Sequence, residues 1–463
     1  MGLDGWIWAL DGWILVAAVL CAVSCSLLGN FLVLRGTSML GDAISHAVLP
    51  GLAVAFWISG SRSGTGMFVA AVAAAVVTVF LIETLRRSAG VDRGASMGVV
   101  FTAMFALGMI MIVQVADHVD LDPNCVLYGS IELTPLDQWE IAGWLIPKAV
   151  VTLGVTLLLN GLFVALFYKE LLLTTFDSDL ADSMGFSSQV IHYGLMTLVA
   201  ITAVASFESV GSVLVVAMMV VPPASALMMT DRLSGMLAWS AGLAALAAIM
   251  GHGSAIVVPS WFGMGSTLTS GMMAVSAGGI LIVCGLVGSR RGLITRWVRQ
   301  RAFAAQVAAD DVLGFLFRLE ERAKSTVLTT AATTGQKKSE SITAQNPATA
   351  AQLSTNLGQS LPQCLRVLSG LVRRGEVEPS GSGYCLTSAG RRRAQLLVRS
   401  HRLWELYLVE QAQYEIDRIH EKAEAWEHVT DESMRESLDR ATSQTALDPH
   451  GSQIPPEVER HNQ

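Results

Sequence analysis

With 463 residues, 52% of them hydrophobic and only 15% charged, and a mean hydropathy of +0.49, the chain is too apolar for a water-soluble protein and too long for a single membrane anchor. The formal net charge of −7 averages two regimes, since residues up to about Gly288 are nearly uncharged and the remainder is dense in Arg, Glu and Asp. Six scattered cysteines form no CxxC pair, which argues against thiolate-zinc or redox chemistry and reads as small apolar filling.

From the amino terminus, Asp4 and Asp11 stand where a secretory signal needs Lys or Arg, so the first apolar run, Trp13 to Leu34, is expected to remain as a span. Runs long enough to cross hydrocarbon follow at Met67 to Leu85, Met97 to Val113, Ile141 to Phe167, His192 to Val213, Leu237 to Val258 and Met272 to Val287. Asp42 to Trp57 and Leu214 to Met229 are shorter or interrupted by polar residues, which leaves about eight or nine crossings. Arg290, Arg291, Arg296, Arg299 and Arg301 directly after the last run predict a cytoplasmic carboxy terminus, and Arg86, Arg87, Arg93 and Arg232 mark the same side. Asp117, Asp120, Asp122, Glu132 and Asp137 are expected in a solvated outer loop.

Beyond Arg301 the pattern becomes amphipathic and soluble. A helix is expected over Asp310 to Arg322, then a flexible linker over 325–346. Ala348 to Leu357 and Leu361 to Arg373 read as short helices around a Gly-containing turn, followed by a hairpin with its tip at Ser380 to Gly383, which is the winged-helix order. Ala389 to Gln413 and Ile416 to His428 read as helices. The expected fold is mainly α: a polytopic transmembrane helical bundle over 1–290, a juxtamembrane basic segment over 291–309, a small cytoplasmic winged-helix plus helical domain over 310–456, and a tail over 457–463.

Asp42 and His46 are four residues apart and so share one helix face. Ionisable groups at depth cost about 2.5–3.5 kcal/mol each on insertion scales, so two aligned ones call for each other, water or an ion. A carboxylate with an imidazole suits Mn(II), Zn(II) or Fe(II) better than an alkali metal. On spacing alone, Asp42 capping the helix and His46 as a satisfied interior histidine is an equal reading.

The stretch Arg35-Gly-Thr-Ser-Met-Leu-Gly-Asp-Ala-Ile-Ser-His-Ala-Val-Leu-Pro-Gly51 resembles the hallmark of the zinc/manganese/iron branch of ABC importer permeases. The similarity covers roughly Leu10 to Gly288, with Met97 to Gly108, Leu127 to Ile131 and Val210 to Ala226 in the family's order. The resemblance implies that Asp42 and His46 bind the passing ion. Manganese is favoured, then zinc, then iron, because in the regulator-like tail Glu424 stands where a second resemblance, to metal-dependent regulators, places glutamate in manganese-type and cysteine in iron-type members. The permease resemblance also implies a second permease subunit (a homodimer or a paralogue), an extracytoplasmic metal-binding protein, and a bacterial cytoplasmic membrane as the setting. No GxxxxGK(S/T) loop is present, so ATP hydrolysis falls to a separate ABC ATPase subunit. Pro222 and Pro223 are expected to end a helix and expose a loop before Arg232, which by itself also reads as an ordinary interhelical turn. The permease resemblance implies that Ala224 to Leu233, with Asp231 and Arg232, is the element the ATPase pushes on.

In the tail, His401 and Glu405 are four residues apart, and His420, Glu424, Glu427 and His428 share one helix face. A solvated charged stripe gives the same pattern. Leu386 to Arg391, Ser400 to Glu405, Ile419 to His428 and Asp448 to Pro455 resemble the diphtheria-toxin-repressor family of metal-dependent regulators, over about Asp310 to Pro456. The resemblance implies one site with Glu424, Glu427 and His428 and a neighbouring one with His401, Glu405 and His420, and the first helix keeps an acidic residue at Asp311 as a further metal-ligand candidate. Gly314 stands where manganese-type relatives offer a further carboxylate. The expected recognition helix offers only Ser360, Gln363 and Arg366, so DNA is not an expected partner and metal sensing is the preferred role. No permanently bound cofactor and no catalytic constellation are expected. The rival reading is a membrane-tethered, metal-dependent transcription regulator, which predicts tolerance of substitution at Asp42 and His46.

Overall fold

Long uncharged runs become helices because hydrocarbon offers the backbone no partner, and a helix satisfies its own polar groups. The computed structural model describes residues 8–59, 65–115, 131–141, 144–261, 263, 267–334, 347–443 and 446–457. Asp117, Asp120, Asp122, Cys125, Leu127 to Ser130 and residues 335–346 of the expected linker lie outside them, as does 458–463. Two compact units result, Met1–Arg296 and Trp297–Gln463.

The first unit runs α1 (Trp8–Leu34), α2 (Leu40–Ala47), α3 (Leu49–Ser59), α4 (Thr65–Ala89) and α5 (Arg93–Val115). A short hairpin, β1 (Gln138–Ile141) with β2 (Trp144–Pro147), leads into α6 (Lys148–Leu166), α7 (Tyr168–Phe176) and α8 (Ser178–Ser183). Then come α9 (Ser188–Val210), α10 (Ser212–Met229), α11 (Leu233–Ser260) and α12 (Thr269–Val287). Among the described residues, nine stretches are long and apolar enough to cross a membrane, counting α2 and α3 as one. This multi-pass helical unit takes the higher of the two expected counts. Within the α2–α3 span the helix breaks at Val48, because Pro50 has no N–H to offer the carbonyl of His46. Between α9 and α10 a single residue reverses the helix path, Gly211 at φ 97°, a conformation that favours glycine.

α1 is the central element, packed against α6, α10 and α11. Buried amides tie it to its neighbours: Asn30 Nδ2 donates to Ser240 Oγ at 2.7 Å, and Asn160 Nδ2 to Ser24 Oγ at 2.8 Å and Thr202 Oγ1 at 2.9 Å. Gly29 allows α10 to approach so closely that a Cβ there would stand 2.0 Å from the carbonyl oxygen of Met219.

Two expectations are corrected in this unit. The Ile141 to Phe167 run does not form one helix, since Ile141 belongs to the hairpin and Pro147, in extended backbone, holds the helix start to Lys148. Pro222 and Pro223 do not end a helix; both are buried inside α10, which continues to Met229. Pro223 removes the donor for the Met219 carbonyl, and that oxygen is the one facing Gly29, so the helix survives by using the lost bond as a place of close approach.

α13 (Leu293–Thr334) starts in the first unit and continues into the second. It is far longer than the expected Asp310 to Arg322 and takes in both most of the juxtamembrane segment and residues 325–334 of the expected linker, because Ala, Leu, Arg and Gln are good helix formers and no Gly or Pro interrupts the run after Gly314. The second unit then has α14 (Ala350–Asn356), opened by a Thr349/Gln352 capping box, and α15 (Leu361–Arg373). The hairpin β3 (Val377–Ser380) with β4 (Gly383–Leu386) follows, then α16 (Ser388–Glu410), α17 (His420–Glu427) and α18 (Glu432–Ala441). The expected helix-turn-helix and wing are present, and α18 was not foreseen. Ala309, Val312, Leu313 and Leu316 form the apolar stripe of α13 and pack with Leu353, Leu368, Leu371, Val377 and Leu386.

Candidate metal sites

α2 starts with Met39 at its cap position and no side-chain cap bond, so Asp42 lies inside the helix rather than capping it. The six other residues of α2 besides Asp42 and His46 are buried, whereas those two side chains are 59% and 41% exposed. Asp42 Oδ1 and His46 Nε2 are 3.8 Å apart. The His46 ring contacts Phe101 and Phe105, each at 5.8 Å between centroids, the second edge-on. Those phenylalanines stand roughly 12 and 18 Å along α5 from its first residue at 1.5 Å per residue, so the pair is near the middle of that span. A carboxylate and an imidazole thus share an uncovered face at mid-depth. There they offer a divalent cation an oxygen and a nitrogen ligand with room for further ligands.

The connection leading into α2 is pinned by groups that the motif reading did not single out. Arg35 donates to Thr174 Oγ1 at 2.9 Å and Thr175 Oγ1 at 3.2 Å, and lies 3.1 Å from His192 Nδ1. His192 Nε2 is 3.5 Å from Glu83, whose carboxylate also holds Arg86 and Arg87 at 2.7 and 2.5 Å. Arg93 donates to the Arg35 carbonyl at 2.5 Å. A cavity of about 30 Å³ sits among Thr37, Leu40, Glu83, Arg93 and His192. Arg86, Arg87 and Arg93 were legible as same-side charges, but the convergence of Arg35, Arg86 and Arg87 on Glu83 and His192 depends on tertiary packing.

Of the expected ATPase-facing residues, Pro222 and Pro223 are buried and Ala224 is half-buried, all within α10, while Asp231 and Arg232 are exposed in the turn before α11. Arg290 and Arg291 approach the Asp231 carboxylate at 3.5 and 3.7 Å, and both of their backbone N–H groups point at the Met228 carbonyl.

In the second unit the ligand-type side chains separate into two clusters. His401 and Glu405, on α16, meet His420 at the start of α17. His401 Nε2 is 3.1 Å from Glu405 Oε1 and 3.0 Å from His420 Nδ1, and Glu405 Oε1 is 3.0 Å from His420 Nδ1. The three atoms form a triangle close to the edge of about 3.3 Å set by ligands at 2.0–2.1 Å around one cation. Burial disfavours a charged His401, but Glu405 and Glu427 outweigh it and hold the ring at about 9. Burial likewise works against Glu405, yet His401 and His420, with help from His450, take it down to about 2. His450 was missed as a candidate although it lies inside the Asp448 to Pro455 stretch. Its Nε2 is 3.7 Å from Glu405, on a strap that Arg402 clamps through the Gln453 carbonyl and Asp448.

The other cluster joins Asp311 of α13 to Glu427 and His428, with His428 Nε2 at 3.5 Å from Asp311 and 3.7 Å from Glu427. Glu424, expected here, is exposed and outside ligand reach, and acts on Asp311 through its charge. Asp310 was missed; it is 4% exposed, 3.6 Å from His428 Nδ1, and ion-paired with Arg393 at 2.6 Å. Burial, then the Glu427, Glu424 and Asp310 charges against the pull of His428, raises the Asp311 carboxyl to about 6. His428 is raised in turn, because Asp310, Glu427 and Asp311 outweigh its burial. Each cluster brings imidazole nitrogen and carboxylate oxygen together, His401 Nε2 with Glu405 and His420 in one and His428 Nε2 with Asp311 and Glu427 in the other, a donor set that fits a divalent metal.

A family model described as the ABC 3 transport family matches residues 12–287, and one for the iron dependent repressor, metal binding and dimerisation domain matches residues 387–456. The manganese transport system membrane protein MntD of Bacillus subtilis is 41% identical over 292 residues, covering 63% of this chain and 96% of that one. The zinc transport system membrane protein TroD of Treponema pallidum is 37% identical over 377 residues, covering 81% and 96%. Among solved structures, PsaBC from Streptococcus pneumoniae in complex with Fab shares the fold, with a TM-score of 0.51 at 24% identity over 63% of this chain and 94% of that one. With nine stretches among the described residues long and apolar enough to cross a membrane, and a family model spanning residues 12–287, the chain is a multi-pass membrane protein that belongs to the ABC 3 transport family.

Proposed function

We propose that the chain is the permease subunit of an importer that carries Mn(II), with Zn(II) and then Fe(II) as the next candidates, through the membrane. The observation that carries this is the Asp42–His46 pair: two ion-binding groups 3.8 Å apart and uncovered, halfway along apolar helices, where acyl chains alone leave them unpaired. A second permease subunit, the same chain or a paralogue, supplies the missing cover, and the ion passes between the two. The ion is cargo, delivered from outside by an extracytoplasmic metal-binding protein, and ATP hydrolysis is supplied by a separate ABC ATPase. The manganese and zinc transport relatives support this reading. The exposed turn with Asp231 and Arg232 is the element the ATPase meets, and the arginines around Arg290, by the excess of basic residues on cytoplasmic faces, support a cytoplasmic side for it, in a bacterial inner membrane.

The second unit, on the same reading, is a cytoplasmic metal sensor. His401, Glu405, His420 and His450 hold one ion, and Asp311, Glu427 and His428 the other, each supplying charge that relieves a crowded set of carboxylates and imidazoles. Ser360 at the cap of α15, and Gln363 and Arg366 on it, are the few base- or phosphate-reaching groups that helix offers, which favours a role other than reading DNA. The test is uptake of radiolabelled manganese into proteoliposomes holding this chain and its ATPase. Asp42→Ala or His46→Ala, in complexes that still assemble and hydrolyse ATP, is expected to lower uptake by at least about tenfold. Unchanged uptake removes the pair from the path.

A further inference from the structure

We propose that the first three turns of α13 lie in the headgroup layer of the bilayer surface on which α12 ends, bound to anionic lipid. α12 stops at Val287 and α13 starts at Leu293, so the intervening residues keep the helix start within about 20 Å of the end of the span even when fully extended. Leu293, Ile294, Trp297 and Val298 are 64%, 50%, 51% and 51% exposed. At about 100° per residue they fall within an arc of roughly 140°. Arg296 and Arg299 fall on the other side, and no Asp or Glu occurs from Gly288 to Ala309.

Arg301 falls within the apolar arc, but its guanidinium stacks 3.8 Å from the centre of the Trp297 ring. Such a pair suits an interface, with the indole at the acyl boundary and the cation reaching back to phosphate. Arg290 and Arg291 face Asp231, and the headgroup charge is met chiefly by Arg296 and Arg301. A second copy of the same helix is a poorer occupant, since it sets like charges against one another, whereas an anionic surface complements them. The inference rests on these residues and on the end of the last span, and does not depend on what the permease carries.

The full chain with Val298→Cys, bearing an environment-sensitive fluorophore, is placed in nanodiscs of phosphatidylcholine alone or with about one quarter phosphatidylglycerol. The unsubstituted chain serves as the labelling blank. Lipids spin-labelled near the headgroup are expected to quench the probe at least about twofold more in the anionic discs. The excess should shrink at about 0.5 M salt and be lost in R296Q/R299Q/R301Q. Equal quenching in both compositions, strong or weak, overturns the proposal. So does a signal dominated by probe-to-probe self-quenching, which would put a second copy on this face.

Discussion

His401 Nδ1 stands 2.6 Å from Glu427 Oε2, although the other nitrogen of that ring belongs to the cluster with Glu405 and His420 while Glu427 belongs to the cluster with Asp311 and His428. One imidazole therefore touches both clusters. A ring that gives Nε2 to a cation has only Nδ1 left to carry a proton, and here that proton is aimed at a carboxylate of the neighbouring cluster. Glu427→Gln is accordingly expected to weaken Mn(II) binding at both clusters, by about tenfold or more at the Glu405–His420 cluster, where it is not itself a ligand. Asp311→Ala should weaken its own cluster alone. Stepwise calorimetric titration of the purified chain separates these outcomes, and two losses confined to separate sites would contradict the shared ring.

The pH dependence of the metal-free second unit has a definite sign. His401, raised from 6.5 to about 9, contributes stability that is full below 6.5 and disappears as pH rises through about 9. Glu405, lowered from 4.5 to about 2, contributes stability that is full above 4.5 and disappears as pH falls through about 2. Together they favour the fold most between 4.5 and 6.5. A cation must displace the His401 proton, so apparent affinity should climb by up to about tenfold per pH unit below 9. Titrations with Zn(II) or Mn(II) from about pH 6 to 8 check this, and a flat profile would separate the ring from the metal.

Asp311 carries the opposite sign. Its carboxyl is raised from 3.8 to about 6 chiefly by burial, so ionising it opposes folding, and the penalty grows as pH rises from 3.8 through 6. Asp311→Asn removes the charge while keeping the shape. The metal-free variant is expected to melt about 2–4 °C higher than the parent at pH 7.5 and level with it at pH 4, with the Mn(II)-induced rise reduced. Thermal melts at the two pH values, with and without metal, provide the measurement.

The spans and the winged-helix order were legible because both rest on local pattern: apolar length for the first, and helical and strand periods with Gly-marked turns for the second. The Asp42–His46 and His401–Glu405 pairs were legible for the same reason, as each spans one helical turn. What escaped was set by packing across the chain. His450 reaches Glu405 only because Arg402 holds the strap down, and Asp310 joins His428 only because α13 and α17 meet. Glu424 shares a helix face with Glu427, yet face-sharing does not fix depth, and it ends exposed. Pro222–Pro223 misled because a proline pair is a breaker in water, whereas in a bundle the freed carbonyl finds a use in close packing.

That close packing gives the last prediction. A Cβ on Gly29 would stand 2.0 Å from the Met219 carbonyl oxygen and 3.0 Å from Pro223 Cγ, and a backbone oxygen cannot step aside as a flexible side chain can. Gly29→Ala must therefore push α10 away from α1, at a cost of about 1–3 kcal/mol, seen as a lower melting temperature of the detergent-solubilised chain. Gly12→Ala, in the same helix with nothing within 4 Å of its Cβ, is the control and is expected to be neutral or slightly stabilising. Met219 also packs its sulfur against Gly41, beside Asp42, so a displaced α10 shifts the wall behind the Asp42–His46 face. Manganese uptake by Gly29→Ala should consequently fall even at temperatures where the chain stays folded, and a variant that melts early yet transports normally would uncouple that wall from the ion path.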